Sequence, residues 1–232
     1  MKRSTVNHTI EIAKEVFAAV GLKLPPFAYW NVHDWENKGP EADEIRRCML
    51  GWDVTDFGQG DFATIGRTLF TLRNGSKRWF SGKDYAEKLI LDPENQRPPR
   101  HYHRHKMEDI INRGGGNILV QLWKATPDNQ CSEANFPIQV DGITRTISAG
   151  EIMRLSPGES LCIPPGTVHQ FWAEEGTGIC IDGKRYTVSG EVSRVCDDYE
   201  DNCWLEPCSR FINFEEDEPR RHYLVHEYPE AL

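Results

Sequence analysis

The side chains with the greatest capacity for chemistry fall in two short segments, PRHYHRHKMEDIINRGGG over residues 99–116 and PGESLCIPPGTVHQFW over residues 157–172. Side chains alternate along a β-strand, so His101 and His103 share one face about 7 Å apart, near enough to grip a single ion. Glu108 breaks that parity, and a turn or bulge through residues 104–106 would bring its carboxylate round to join them. Gly114, Gly115 and Gly116 then let the chain reverse into the next strand. In the second segment Pro164 and Gly166 form a tight turn that delivers His169 at the start of a strand. His105 has the same parity as His103, so the pair could be His101 and His103 or His103 and His105. Three neutral imidazoles and one carboxylate make a mixed nitrogen and oxygen donor set. It suits divalent manganese, iron, cobalt, nickel or zinc and leaves coordination positions open.

The elements that must position these residues are mainly β. Ile10, Ala13, Phe17 and Val20 recur at steps of three or four, which predicts a helix over the first twenty residues ending at Gly21. A second helix is predicted after Pro40, where EADEIRRCML puts acids in its first turn and Arg46 and Arg47 near its end, with Gly51 as a stop. From about Asp61 the pattern turns to strands. FATIGRTLFTLRNGSKRWF carries Asn74-Gly75 as a tight-turn signal between two extended runs. KLILDP, GNILVQLWKA, TRTISAG, EIMRLSPGESLCIPPG, TGICIDG and RYTVSG follow with turn residues in nearly every gap. Short strands at this spacing indicate an antiparallel barrel or sandwich. We expect one domain over residues 1–232: a helical N-terminal extension (1–55), a barrel (60–195) and a charged, solvated closing tail (196–232).

The formal charge of −9 excludes a general nucleic-acid binder, which needs a basic face. No apolar run reaches the roughly 18 residues of a membrane span, and no apolar stretch follows the two basic residues at the N-terminus. The seven cysteines form an odd set with no CxxC pair, which points to reduced thiols in a cytoplasmic protein. His8, His33, His222 and His226 are read as ordinary surface or core histidines.

The two segments resemble the paired motifs of the cupin superfamily: His101-Tyr102-His103 with four residues before Glu108, and Pro164-Pro165-Gly166 followed by His169. The resemblance implies a jelly-roll β-barrel and selects His101 and His103 over His105. More narrowly, HYHRHKMEDIINRGGGN, IPPGTVHQFW, the late NCWLEPCSRF and EEDEP, and KLPPFAYWNVHDW resemble the D-lyxose isomerase family of cupins over most of the chain. That family implies a divalent metal, manganese first with zinc, cobalt or iron also admitted, held by His101, His103, Glu108 and His169. It implies interconversion of D-lyxose with D-xylulose, and of D-mannose with D-fructose, in a homodimer that meets a small sugar and neither nucleic acid nor membrane.

Such a reaction needs a base not locked to the ion. The resemblance places the family's catalytic glutamate at Glu206, and the apolar neighbours Trp204, Leu205 and Pro207 should disfavour its charged form. Lys106, Asp109 and Arg210 are expected to hold sugar hydroxyls, with Lys106 also managing protons and Asp109 orienting an imidazole. Phe171, with Trp172, is expected to wall the pocket. Two other readings of the same motifs are a metal-dependent cupin oxygenase and a non-catalytic sugar-binding cupin.

Overall fold

The computed structural model describes residues 1–79 and 82–230. Three helices come first: α1 (Arg3–Ala19), α2 (Val32–Trp35) and α3 (Asp43–Arg47). The strands are β1 (Gly51–Thr55), β2 (Arg67–Arg73), β3 (Tyr85–Pro93), β4 (His101–His103), β5 (Glu108–Gly114), β6 (Ile118–Lys124) and β7 (Phe136–Val140). They continue as β8 (Ile143–Ile147), β9 (Ile152–Leu155), β10 (Ser160–Ile163), β11 (Thr167–Ala173), β12 (Ile179–Ile181), β13 (Lys184–Arg194) and β14 (Asn202–Trp204). They build two antiparallel sheets: a larger one in the order β1-β2-β3-β13-β5-β10-β7-β8, with β12 on β13, and a smaller one in the order β14-β4-β11-β6-β9.

The two sheets enclose an apolar core drawn from both, including Leu69, Ile90, Ile110 and Leu161 from the larger and Ile118, Val120, Leu122 and Phe171 from the smaller. This is the expected antiparallel barrel. The opposite face of the larger sheet is also buried, because α1 lies on it. Val6, Ile10, Ala13, Val16 and Phe17 of α1 pack with Trp52, Val54, Phe70, Leu89, Leu91 and Val188. Burial on both faces explains why β3 reads as a near-continuous apolar run: Leu89 and Leu91 meet the helix while Ile90 meets the interior.

Four sequence expectations change. The N-terminal helical extension is present and α1 completes a core, but the extension ends before residue 55, since β1 begins at Gly51. The second helix is a single 3₁₀ turn at Pro40–Ala42 running into α3, and it stops at Cys48 rather than Gly51. Asn74-Gly75 does not make a tight turn: β2 ends at Arg73, β3 opens at Tyr85, and residues 74–79 form no strand. Phe80, the end of the expected second run, lies outside the described residues. The Asn74 side chain ties elements together instead, its Nδ2 donating to the carbonyls of Cys48 and Cys196, both at 3.1 Å, and its Oδ1 accepting from Cys196 N at 2.9 Å.

The closing tail is the fourth. It pairs with β4 through β14, and Leu224 is fully buried against the core around α1. The side chain of Arg3, 0% exposed, donates to Glu216 at 2.7 and 2.9 Å and to Glu227 at 2.6 and 3.2 Å, and its guanidinium lies 4.5 Å from the Phe214 ring centre. Removing one partner of a buried ion pair strands the other charge. Arg3→Met is expected to cost roughly 3 kcal/mol, the low end of the range for such a loss because Glu216 is half exposed. The urea midpoint at unchanged m-value would measure it; a shift worth under about 0.5 kcal/mol would show that the tail is not held this way.

Among the described residues, no helix is long and apolar enough to cross a membrane. The cysteines form no disulfide among the described residues.

Candidate metal centre and active site

β4 is only three residues long, yet it lies between β11 and β14, with His101 opposite both His169 and Trp204. Two-residue periodicity turns His101 and His103 to one side, and the register brings His169 against them. The turn before His169 is anchored to the same strand: Gly166, at φ 71°, donates its N–H to the His103 carbonyl at 2.9 Å, and Thr167 N donates to Pro164 O at 3.2 Å. The positive φ is one that a glycine adopts without strain.

The bend that restores Glu108 is built by Asp201, a residue in the charged tail that no motif marked. Its buried carboxylate accepts from the backbone N–H groups of His105, at 2.8 Å, and Lys106, at 3.0 Å, while its carbonyl takes the Arg104 N–H at 3.1 Å. Held in this way, the segment points Lys106 inward and leaves His105 exposed, outside the histidine cluster.

His101, His103 and His169 each offer a ligand atom within 4.8 Å of the others. His101 Nδ1 lies 3.3 Å from the Pro99 carbonyl and His169 Nδ1 lies 3.0 Å from the Thr167 carbonyl. A carbonyl only accepts, so in each neutral ring Nδ1 carries the proton and Nε2 presents a lone pair. Glu108 Oε1 lies 3.0 Å from Nε2 of His169 and 3.5 Å from Nε2 of His103. Both ring nitrogens of His103 and Glu108 Oε1 are buried without a hydrogen-bond partner. Buried polar atoms without partners are costly, and three imidazoles this close together could hold a divalent cation. Burial and the neighbouring imidazoles push the His101 imidazolium well below the usual histidine range. Burial opposes the charge on Glu108, but Lys106 and the adjacent histidines outweigh it and hold the carboxyl well below the usual range.

The cluster opens on a cavity of about 60 Å³ that also receives Lys106, Phe171 and Arg210. Lys106 Nζ bridges Glu108 Oε2 at 2.6 Å and Glu191 Oε1 at 2.7 Å. Arg210 donates to Asp53, and to Asp198 at 3.2 Å, and its Nη1 is buried without a partner. Phe171 is buried with the Arg67 guanidinium 4.3 Å from its ring centre. Its neighbour Trp172 lies on the opposite strand face, stacked with Arg97, and does not wall the cavity.

Asp109 is the clearest misplacement. It follows Glu108 on β5, so strand alternation sends it to the outer face, where it is exposed opposite Cys162 and Val192. It can neither orient an inward imidazole nor reach a sugar in this cavity. Glu206 needs a different correction. Its surroundings are not simply apolar: Oε1 accepts from Arg100 Nε at 2.9 Å and from Nη2, while Oε2 is buried without a partner. It lies two residues beyond Trp204, whose ring centre is 4.7 Å from that of His101, and is outside the residues lining the cavity. Lys88, Glu191, Asp198 and Asn202 line the cavity without having been singled out. For Glu191 a signal existed, since Ser189, Glu191 and Ser193 form a polar period-two stripe on β13, all buried.

The four remaining histidines stand apart from this cluster. His8 and His33 are exposed, His222 is buried with Nδ1 on the Trp30 carbonyl at 2.8 Å, and His226 is half-buried beside Phe211.

The D-lyxose isomerase family model matches residues 1–228. Two curated relatives, each named D-lyxose/D-mannose isomerase, come from Escherichia coli O157:H7 and Serratia proteamaculans. Each is 44% identical over 230 residues, covering 98% of both chains. Among solved structures, L-ribose isomerase of Cellulomonas parahominis superposes with a TM-score of 0.55 at 14% identity, covering 90% of this chain and 95% of that one. L-ribose isomerase of Acinetobacter sp. DL28, in complex with L-ribose, gives 0.55 at 13%, covering 89% and 93%. At such identities these two establish a shared fold. The match along nearly the whole chain, with close relatives at 44% identity, makes this protein a member of the D-lyxose isomerase family.

Proposed function

We propose that the protein is a divalent-metal-dependent aldose–ketose isomerase that interconverts D-lyxose and D-xylulose and, more slowly, D-mannose and D-fructose, D-mannose having the same C2 configuration as D-lyxose. The observation that carries this reading is the convergence of His101, His103 and His169 beside Glu108 Oε1, which is buried without a hydrogen-bond partner. A divalent ion held there by His101, His103, Glu108 and His169 would supply Lewis acidity to oxygens of an open-chain sugar.

The chain's own residues supply the rest. Glu206 takes the proton from C2 and returns it to C1, while the O2 hydroxyl proton passes to O1, so the reaction is balanced without a redox partner. Arg100 occupies Glu206 Oε1 and leaves Oε2 without a hydrogen bond, the state in which an oxygen can accept a proton. Lys106, fixed between Glu108 and Glu191, presents a buried ammonium to the charge that develops on the sugar oxygens. Phe171 walls the cavity, and Arg210 offers its unpartnered Nη1 to a hydroxyl. The oxygenase reading would leave Glu206 without a task, and family membership favours turnover over simple binding.

The test is product analysis with D-lyxose and D-mannose in the presence of Mn(II). Formation of D-xylulose and, more slowly, D-fructose is expected; no ketose with any divalent ion would overturn the proposal.

A further inference from the structure

Lys88 comes from β3, on the same inward face as Ile90, and its side chain is 6% exposed. Its nearest carboxylate oxygen, Glu191 Oε2, is 3.7 Å away, beyond hydrogen-bond reach, and Nζ makes no hydrogen bond to any described residue. An ammonium has three donors and no acceptor capacity, so a buried one left without acceptors is costly. Arg210, across Asp198 in the same cavity, has an unpartnered Nη1. Two buried cations thus turn spare donors into one small space.

Their place relative to the histidines follows from contacts. Glu108 Oε1 meets the imidazoles and its Oε2 meets Lys106; Glu191 Oε1 takes the other side of Lys106, and Glu191 Oε2 faces Lys88. Lys88 is therefore one carboxylate further from the histidine cluster than Lys106. Burial disfavours the charge on Lys88, but Cys196, Glu191 and Asp198 outweigh it and keep the ammonium above the usual lysine range. A permanently charged donor suits neutral hydroxyl oxygens.

We propose that Lys88, with Arg210 beside it, forms the subsite for the distal hydroxyls of the open-chain sugar, O4 and O5, and makes Lys88 a specificity-determining residue. This rests on the sugar-isomerase reading. Sites built to hydrogen-bond a hydroxyl reject analogues that lack it, because their own buried donors are then left unpaired. Lys88→Met keeps the length of the side chain and removes the donors.

The experiment is a cycle in kcat/KM: wild type and Lys88→Met, each with D-lyxose, 4-deoxy-D-lyxose and 5-deoxy-D-lyxose, and Mn(II) affinity measured in parallel by titration calorimetry. Differences in open-chain content among the sugars cancel, since both enzymes meet the same substrates. The wild type is expected to lose about 10- to 100-fold on at least one deoxy sugar, the size of a hydrogen bond to a charged group. In Lys88→Met that penalty should fall below threefold, with Mn(II) affinity within threefold of wild type. Equal penalties in both enzymes on both analogues would overturn the proposal, as would a wild type indifferent to both deoxy sugars or a drop in Mn(II) affinity that accounts for the loss. Lys88→Leu, which also lacks donors, carries the same cycle if the methionine variant does not fold. A wild type that isomerises no sugar would defeat the isomerase reading itself, a result distinct from any of these.

Discussion

Glu206→Gln should retain Mn(II) affinity while losing about 10² to 10⁴ in the isomerisation rate, the usual contribution of a positioned general base. The amide is nearly isosteric and keeps an oxygen for Arg100 Nε, which now meets Glu206 Oε1 at 2.9 Å. What it removes is the basicity of Oε2, which is buried and without a partner. Exchange of the C2 hydrogen with solvent deuterium separates this role from a structural one. The variant should lose exchange and turnover together. Unchanged exchange would remove Glu206 as the base, and turnover in the wild type with no solvent exchange would indicate direct hydride transfer between C2 and C1.

Glu108→Gln should act earlier, at metal binding. Glu108 is 2% exposed and its two oxygens have separate tasks, Oε1 toward His103 and His169, Oε2 toward Lys106. The amide replaces an anion by a neutral dipole in both contacts and leaves Lys106 with Glu191 as its remaining close carboxylate. Loss of outer partners of metal ligands costs 10- to 100-fold in affinity, so loss of a charged ligand should cost roughly 100-fold or more. Titration of the metal-free variant with Mn(II) measures it, and activity should recover only in part at saturating metal. An affinity within threefold of wild type would show that the carboxylate is not part of the ion's donor set.

The candidate metal site was legible because the four side chains proposed for it lie in two short segments, where spacing and strand parity determine which of them share a face. His105 illustrates the limit of parity alone, since it matches His103 in the sequence yet is turned outward by the bend that Asp201 holds. Asp109 failed for a related reason: adjacency to Glu108 on a strand means opposite faces. The far side of the cavity was not legible. Lys88 lies in a strand buried on both sides, where alternation of polar and apolar residues is lost. Asp198 reaches the cavity only through the path of the tail, whose charge suggested solvent. The barrel itself followed from recurring short strands and turn residues. The Asn74-Gly75 misreading shows the opposite case, a local turn signal overridden by hydrogen bonds to Cys48 and Cys196.

The account as a whole depends on an ion at His101, His103, Glu108 and His169. The most direct test is to strip the wild-type protein with a chelator, verify by elemental analysis that it is metal-free, and follow D-xylulose formation from D-lyxose before and after Mn(II) is restored. The arrangement predicts loss of isomerisation in the stripped protein and its return as about one ion binds per chain. Full activity in the verified metal-free protein would contradict it.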